Sequence, residues 1–235
     1  MKDTDATRRL LDSYPKSRPP LSEAHRKRYV KDYIANREDR VGLNRLKLAL
    51  ETWMHRQVAS RGKPGSILEI GAGTLNHVSF ESSFPYYDIV EPFEELRRNS
   101  PHLESVRACY ANIQAVPSTE RYDRIISIAA LEHVENLPEL LAQCNLLLAP
   151  SGQFQAAIPS EGGFLWGLSW RLTTAISYRL STGLPYGPLM RHEHLNDCGE
   201  IEALISHYFT LRRIERFPLP SIHMSFYTYF EGSLP

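Results

Sequence analysis

The sequence predicts an α/β protein: a doubly wound, mostly parallel seven-stranded sheet ending in an antiparallel edge pair, with helices before it and a helical insertion late in the chain. Three observations predict it. Between Ser66 and Ile158 short apolar runs alternate with helical patterns, which implies right-handed βαβ units and a parallel sheet covered on both faces. Near the end two apolar runs follow each other with little between them, and strands so joined can pair antiparallel. At 235 residues, with 42% apolar and 23% charged residues, the chain can bury the core of one large domain, or of a domain with an extension.

The elements follow in order. Up to Ser60 the chain reads as helical: Ser22 to Asn36 is highly charged, and apolar residues recur at Leu43, Leu46, Leu48, Leu50, Trp53 and Met54 near helical spacing. Pro15, Pro19 and Pro20 set a frayed N-terminal arm apart from this part. Arg61-Gly62-Lys63-Pro64-Gly65 breaks the helix. Strands are then expected over Ser66–Ile70, Tyr86–Val90, Leu103–Cys109, Asp123–Ala129 and Gly152–Ile158, with helices over Asn76–Ser82, Phe93–Asn99 and Leu137–Leu148. A helix over Glu200–His207 precedes two last strands, Thr210–Arg216 and Met224–Phe230. The expected organisation is a helical extension over 1–60 and a domain over 61–235, with an insertion at about 159–197.

Composition narrows the function. Lys plus Arg and Asp plus Glu number 27 each, so no net field gathers polyanions, and nucleic acid is not the favoured partner. Cys109, Cys144 and Cys198 are widely spaced without a CxxC pair, which fits neither a disulfide framework nor a zinc cluster. A reducing cytoplasm is the expected compartment. Met1 to Leu10 lacks the apolar core of a secretory signal. The most apolar run, Phe164 to Trp170, is too short to span a bilayer, although peripheral contact with a membrane stays open.

The chemistry gathers at Glu69-Ile70-Gly71-Ala72-Gly73, where the first strand meets its helix. Ligands of open α/β sheets sit at the carboxyl ends of the strands, and glycines let the backbone approach them. A dinucleotide fingerprint would place a third glycine at Asn76. Glu69 before the turn would repel a pyrophosphate but suits a cationic ligand. Glu91 ends the second strand, 20 residues after Gly71, where an acid accepts hydrogen bonds from ribose hydroxyls. The plainer alternative is a tight turn at the glycines and a helix cap at Glu91. No phosphate-binding loop with Gly-Lys-Ser/Thr exists, since Arg61-Gly62-Lys63-Pro64 lacks the hydroxyl residue.

Four motifs in order carry a family resemblance over about residues 64 to 160. Ile67-Leu68-Glu69-Ile70-Gly71-Ala72-Gly73-Thr74 resembles motif I of the class I S-adenosylmethionine-dependent methyltransferases, whose fold is Rossmann-like, and Val90-Glu91-Pro92 resembles the acidic motif that follows it. Tyr122 to Ser127, continuing to Ala130-Leu131-Glu132-His133-Val134, is similar to the fourth-strand motif of the small-molecule branch. Leu147 to Gln153 is similar to the turn into strand five. The resemblance implies S-adenosylmethionine as cofactor. Glu69, Gly71, Ala72 and Gly73 would then line its methionine end and Glu91 would hold its ribose, with Asn76 and Pro92 as further cofactor-binding residues. Asn112 and Ile113 would stand where relatives carry an Asp against adenine, and Ala129, Ala130 and Leu131 would pass beneath the cofactor.

Transfer to a hydroxyl usually needs a general base, and His133, just after strand four, is one candidate beside a helix-capping role. The insertion from Pro159 to Asp197 is rich in aromatics (Phe164, Trp166, Trp170, Tyr178, Tyr186) and contains Arg171, Arg179 and Arg191. It reads as a lid over an apolar, sugar or lipid-linked acceptor, or as helices completing the core. It ends in Arg191-His192-Glu193-His194-Leu195-Asn196-Asp197. Asn196 stands where a His-Glu-x-x-His zinc motif needs its second histidine, so no metal is expected, and His192 or His194 is read as a base or hydrogen-bond donor to the acceptor. Asn196 or Asp197 would cap the next helix. Tyr29, Tyr33 and Arg40 are further candidates for the near wall of the cleft. The expected enzyme moves a methyl group to a small-molecule hydroxyl. A protein or RNA acceptor, a nicotinamide oxidoreductase and a non-catalytic partner subunit are the competing readings.

Overall fold

The computed structural model describes residues 5–26 and 44–235. Tyr29, Tyr33 and Arg40 lie outside the described residues. Helices α1 (Asp5–Asp12) and α2 (Asn44–Arg61) precede an alternation of β1 (Ile67–Ile70), β2 (Tyr87–Val90), α3 (Glu94–Arg97), β3 (Ala108–Tyr110), β4 (Tyr122–Ile128), α4 (Leu137–Leu147) and β5 (Leu148–Pro159). The insertion folds as α5 (Phe164–Leu172), α6 (Thr174–Thr182) and α7 (Gly187–Glu193), and the chain closes with α8 (Cys198–Tyr208), β6 (Thr210–Pro218) and β7 (Ser225–Ser233).

The seven strands lie in the order β3-β2-β1-β4-β5-β7-β6. The first five are parallel, and β7 inserts antiparallel between β5 and β6. Strand order reverses between β1 and β4, so the crevice beyond their carboxyl ends is the expected ligand position. Side chains alternate between two cores as the pleat requires. Leu68, Ile70, Ile125, Phe154 and Phe230 pack on one face with Leu141 of α4 and Ile201, Leu204 and Ile205 of α8. Ile67, Ile89, Ile126, Ile128 and Tyr229 pack on the other with Met54 and Val58 of α2.

Three expectations are corrected. The strand expected over 103–109 splits into a 3-10 turn at Leu103–Ser105 and the short β3. β3 is an edge strand that pairs only with Asp88, Ile89 and Val90, so nothing extends it backward. The helix expected over 76–82 is a single 3-10 turn, Asn76–Phe80. Leu75 enters it left-handed at φ 65°, and Glu81 leaves it extended because its carboxylate is held by Arg124 of β4. The N-terminal arm is docked rather than frayed. Leu10, Leu11 and Tyr14 pack on the α4–α8 core, the Tyr14 hydroxyl donates to Asn196 Oδ1 at 2.6 Å, and Lys16 Nζ to Glu200 at 2.6 Å.

Candidate active site

The glycine turn is built by strand register and backbone handedness. Gly71 N–H donates to Val90 O at 2.8 Å, tying the end of β1 to the end of β2. Gly71 and Gly73 adopt φ of 72° and 53°, the region that favours glycine. A Cβ on Gly71 would stand 2.4 Å from Ala130 Cβ, whereas one on Gly73 would meet nothing within 4 Å. The turn is thus closed against β4 at its first glycine and open at its second. Ala129, at φ 50°, brings the end of β4 up beside it.

The turn, α2 and β4 together enclose a cavity of about 250 Å³. Of the residues expected for the cofactor, it is lined by Glu69, Gly71, Ala72, Gly73, Asn76 and Ala129. Glu91 adjoins it: Oε2 accepts the Gly73 N–H at 2.8 Å and Oε1 the Phe93 N–H at 2.9 Å. The carboxylate thereby spans the cleft between the two strand ends and keeps lone pairs for further donors. Pro92, Asn112, Ile113, Ala130 and Leu131 are not among the lining residues. Ile113 and Leu131 are core side chains, Ala130 packs under Gly71, Pro92 is exposed, and Asn112 Oδ1 accepts the Ala115 N–H at 3.0 Å to cap its own turn.

Glu51, Met54, His55, Thr74, His77 and Ile128 complete the lining; the sequence reading did not name them for this role. Glu51 and His55 are one turn apart on the face of α2 that also buries Met54 and Val58, a periodicity that would have pointed to them. His77 carries no such signal, because its burial depends on a buried chain of partners. His55 Nδ1 and His77 Nδ1 lie 3.2 Å apart, and His77 Nε2 lies 2.8 Å from Glu81 Oε1. Glu81 in turn holds Arg124 through two bonds of 2.7 and 2.9 Å. Arg124, 2% exposed, also donates to Gln155 Oε1 at 3.0 Å and to Val58 O at 3.1 Å.

Two groups in the cavity wall titrate abnormally. Burial pushes the Glu69 carboxyl up to about 7, against the lowering effects of His77 and of the Tyr87 hydroxyl, which donates to it at 2.8 Å. Burial, and then the neighbouring His77, push His55 down to about 4. A buried carboxyl poised near neutrality beside an open glycine turn favours a cationic guest, because a positive charge nearby favours the ionised form. These residues fit a sulfonium-bearing aminoacyl nucleoside better than a pyrophosphate.

A second group of residues assembles beyond β4. His133 Nδ1 lies 2.8 Å from Glu193 O. A carbonyl accepts only, so that nitrogen carries the proton and Nε2 of the neutral ring keeps its lone pair. His194 stands edge-on to His133, ring centroids 4.9 Å apart. Glu161 Oε2 lies 2.9 Å from His194 Nδ1, within ion-pair range but off the line of an ideal N–H bond, so Nδ1 has no aligned hydrogen-bond partner. Burial lowers the proton affinity of His194, yet Glu161, Glu132 and Glu193 together outweigh it, and its pKa is raised. Trp166 Nε1 donates to the same Glu161 oxygen at 2.7 Å. His192 is placed differently: Nδ1 lies 2.8 Å from Pro19 O, toward the N-terminal segment. Asp197, not Asn196, caps α8 in a reciprocal box with Glu200. Asn196 is a buried latch whose Nδ2 donates to Leu131 O and Val134 O at 2.9 and 2.8 Å. No group of three His, Cys, Asp or Glu among the described residues is arranged to hold a metal.

The model of a family described as a methyltransferase domain matches residues 36–215, which is most of the chain. The chain belongs to that family. Its cofactor is S-adenosylmethionine. Among curated proteins, the malonyl-[acyl-carrier protein] O-methyltransferase of Acinetobacter baylyi is 29% identical over 91 residues, covering 37% of this chain and 35% of that protein. The chain thus matches about a third of the length of that relative. Among solved structures, the N-methyltransferase NodS of Bradyrhizobium japonicum in complex with S-adenosyl-L-homocysteine superposes with a TM-score of 0.57 at 12% identity, covering 98% of this chain and 100% of that one. The PH0226 protein of Pyrococcus horikoshii gives 0.57 at 18% identity, over 84% and 94% of the two chains. These likenesses are likenesses of fold.

Proposed function

We propose that this methyltransferase acts on a hydroxyl group of a small molecule, such as a sugar or a lipid-linked precursor, with His133 as the general base. The observation that carries the reading is the His133 tautomer: its Nδ1 proton is committed to Glu193 O, which leaves Nε2 as a proton acceptor on a ring about one-third exposed. When bound, the cofactor supplies a methyl group already activated on sulfur. Glu69, the glycine turn and Glu91 hold that cofactor in this reading, and the chain's remaining task is to place the acceptor and take its proton. Glu161 and Glu193 orient the two histidines. Together with Glu132 they disfavour an anionic acceptor, which would meet three carboxylates. His194 is a positioning residue that sets the charge beside the base.

The same reading keeps residues 1–60 as an extension whose α2 closes the cofactor cleft, and 159–197 as the element that selects the acceptor. Three free thiols, Cys109, Cys144 and Cys198, support a reducing cytoplasm. His133→Gln tests the assignment. Its affinity for S-adenosylmethionine by calorimetry should match the native chain, while turnover, measured with labelled cofactor on acceptors drawn from a cell extract, should fall roughly 10²- to 10⁴-fold. His194→Ala should keep the cofactor affinity, lower turnover less, and move the pH profile. Equal turnover in native and His133→Gln protein would remove the base from this mechanism.

A further inference from the structure

The insertion has two unlike faces. Inward, Trp166 packs on Tyr227 and Trp170 and Tyr178 on Tyr186, with ring centroids 5.3 to 6.0 Å apart. Outward, Phe164, Leu168 and Leu172 of α5 and Ile176 and Leu180 of α6 recur every fourth residue and are 64%, 39%, 60%, 49% and 82% exposed. Side chains four apart form one ridge of a helix. α5 and α6 meet at Thr173, whose φ of −113° and ψ of −81° break the helix, so each helix carries its own row of exposed apolar side chains into the junction. The connection between β6 and β7 packs against α5 and adds Leu219 and Met224, 48% and 43% exposed. Large apolar side chains exposed together in this way mark an interaction site.

Charge selects the partner. From Phe164 to Thr182 the only ionisable residues of the Asp, Glu, Lys and Arg types are Arg171 and Arg179, and both are exposed. Arg171 lies over the Trp170 ring at 4.6 Å. A second copy docked here about a two-fold axis would bring the same surface against itself, with arginines present and no carboxylate in the segment to receive them. A surface that is apolar below and anionic above receives both features at once, which is how an interfacial amphipathic helix binds. No described helix is long and apolar enough to cross a membrane, so attachment through this ridge would be in the plane of the surface.

We infer that the outer face of α5–α6 docks on an anionic lipid surface, placing the acceptor-selecting side of the enzyme against the membrane. The inference stands on the exposed ridge and its charge, and holds whichever acceptor the enzyme uses. It is tested by co-sedimentation of the full chain with vesicles of phosphatidylcholine alone and of phosphatidylcholine mixed with phosphatidylglycerol. The expected result is binding to the mixed vesicles that weakens as salt is added. The Leu172→Asp/Leu180→Asp variant should lose at least roughly tenfold in vesicle affinity, and Arg171→Gln/Arg179→Gln should lose the preference for anionic lipid. Both variants change exposed side chains, and unaltered S-adenosylmethionine affinity by calorimetry shows that they are folded. The inference is overturned if the native chain binds neither vesicle or both equally, or if the Asp variant binds as the native chain does. It is also overturned if sedimentation velocity shows a native dimer that the Asp variant dissolves.

Discussion

The two ends of the active site are built by opposite means. At the cofactor end, Glu69 to Thr74 are consecutive residues at one strand end, and the parts that hold them are buried: Arg124 and Glu81 are paired inside the sheet and Glu91 bridges two backbone N–H groups. At the proposed acceptor end, His133, Glu161, Glu193 and His194 come from three separate loops and helix ends. They are held there by longer-range ties: Arg18 donates to His133 O at 2.7 Å and to His192 O at 2.9 Å, and Leu195 N–H donates to Glu132 O at 2.8 Å. In the proposed reading, then, the cofactor and acceptor ends rest on different parts of the structure, so changes at one end should leave the other readable.

The largest test of that separation is Arg124→Met. Breaking a buried pair leaves the Glu81 carboxylate uncompensated, and such losses cost about 3–5 kcal/mol. Denaturant unfolding should show the loss in full. If the cofactor end is the rigid part, S-adenosylmethionine should partly restore the midpoint through binding linkage.

Glu69→Gln sharpens the comparison through pH. The folded carboxyl titrates near 7 and the unfolded one near 4.5, so between those values the folded protein holds the extra proton and stability falls as pH rises. The amide does not titrate, and the substitution removes that slope. The variant should be more stable than the native chain at neutral pH by about 3 kcal/mol, with the difference closing as pH drops below the unfolded value. His55 acts the other way. With a folded pKa near 4 against 6.5 unfolded, it contributes stability that is lost as pH falls through this window. The variant's unfolding curve should therefore rise with pH where the native curve is flatter. The same carboxyl makes binding of a cation release a proton near neutrality. Calorimetry in buffers of different ionisation enthalpy should detect that proton in the native chain and not in Glu69→Gln.

Glu91→Ala comes next, with an expected 10- to 100-fold weaker S-adenosylmethionine affinity, or about 1.4–2.8 kcal/mol. The smallest effect belongs to the acceptor end. Tyr14→Phe deletes the bond to Asn196 Oδ1 and should cost about 1 kcal/mol of stability with no change in cofactor affinity. A change in that affinity would show that the two ends are coupled.

The sheet was legible because its signals are local. β1, β4 and β5 are short apolar runs bounded by Gly, Pro and charged residues, and the glycine turn and Glu91 are defined by spacing along one stretch of chain. The 3-10 turn at Asn76–Phe80 was not legible, because the Glu81–Arg124 pair that ends it joins residues 43 apart in sequence. Nor was the docking of α1, which rests on Tyr14 reaching Asn196, 182 residues away. His77 reads as an ordinary turn residue until β4 brings Arg124 beneath it. Glu161 was not legible for the same reason: it stands in no motif, and its place depends on His194, 33 residues away.

By itself, then, the sequence determined the order of strands and helices, the antiparallel ending, the glycine turn and the cofactor class, since periodicity and short-range spacing are enough to specify them. The tertiary structure alone decided which residues of α2 line the cavity, that Glu69 and His55 titrate out of their usual ranges, that His133 commits Nδ1 to Glu193 O, and that the outer faces of α5 and α6 are exposed. Each of those depends on burial or on a partner distant in sequence. Burial and distant pairing come into being only when the chain is folded.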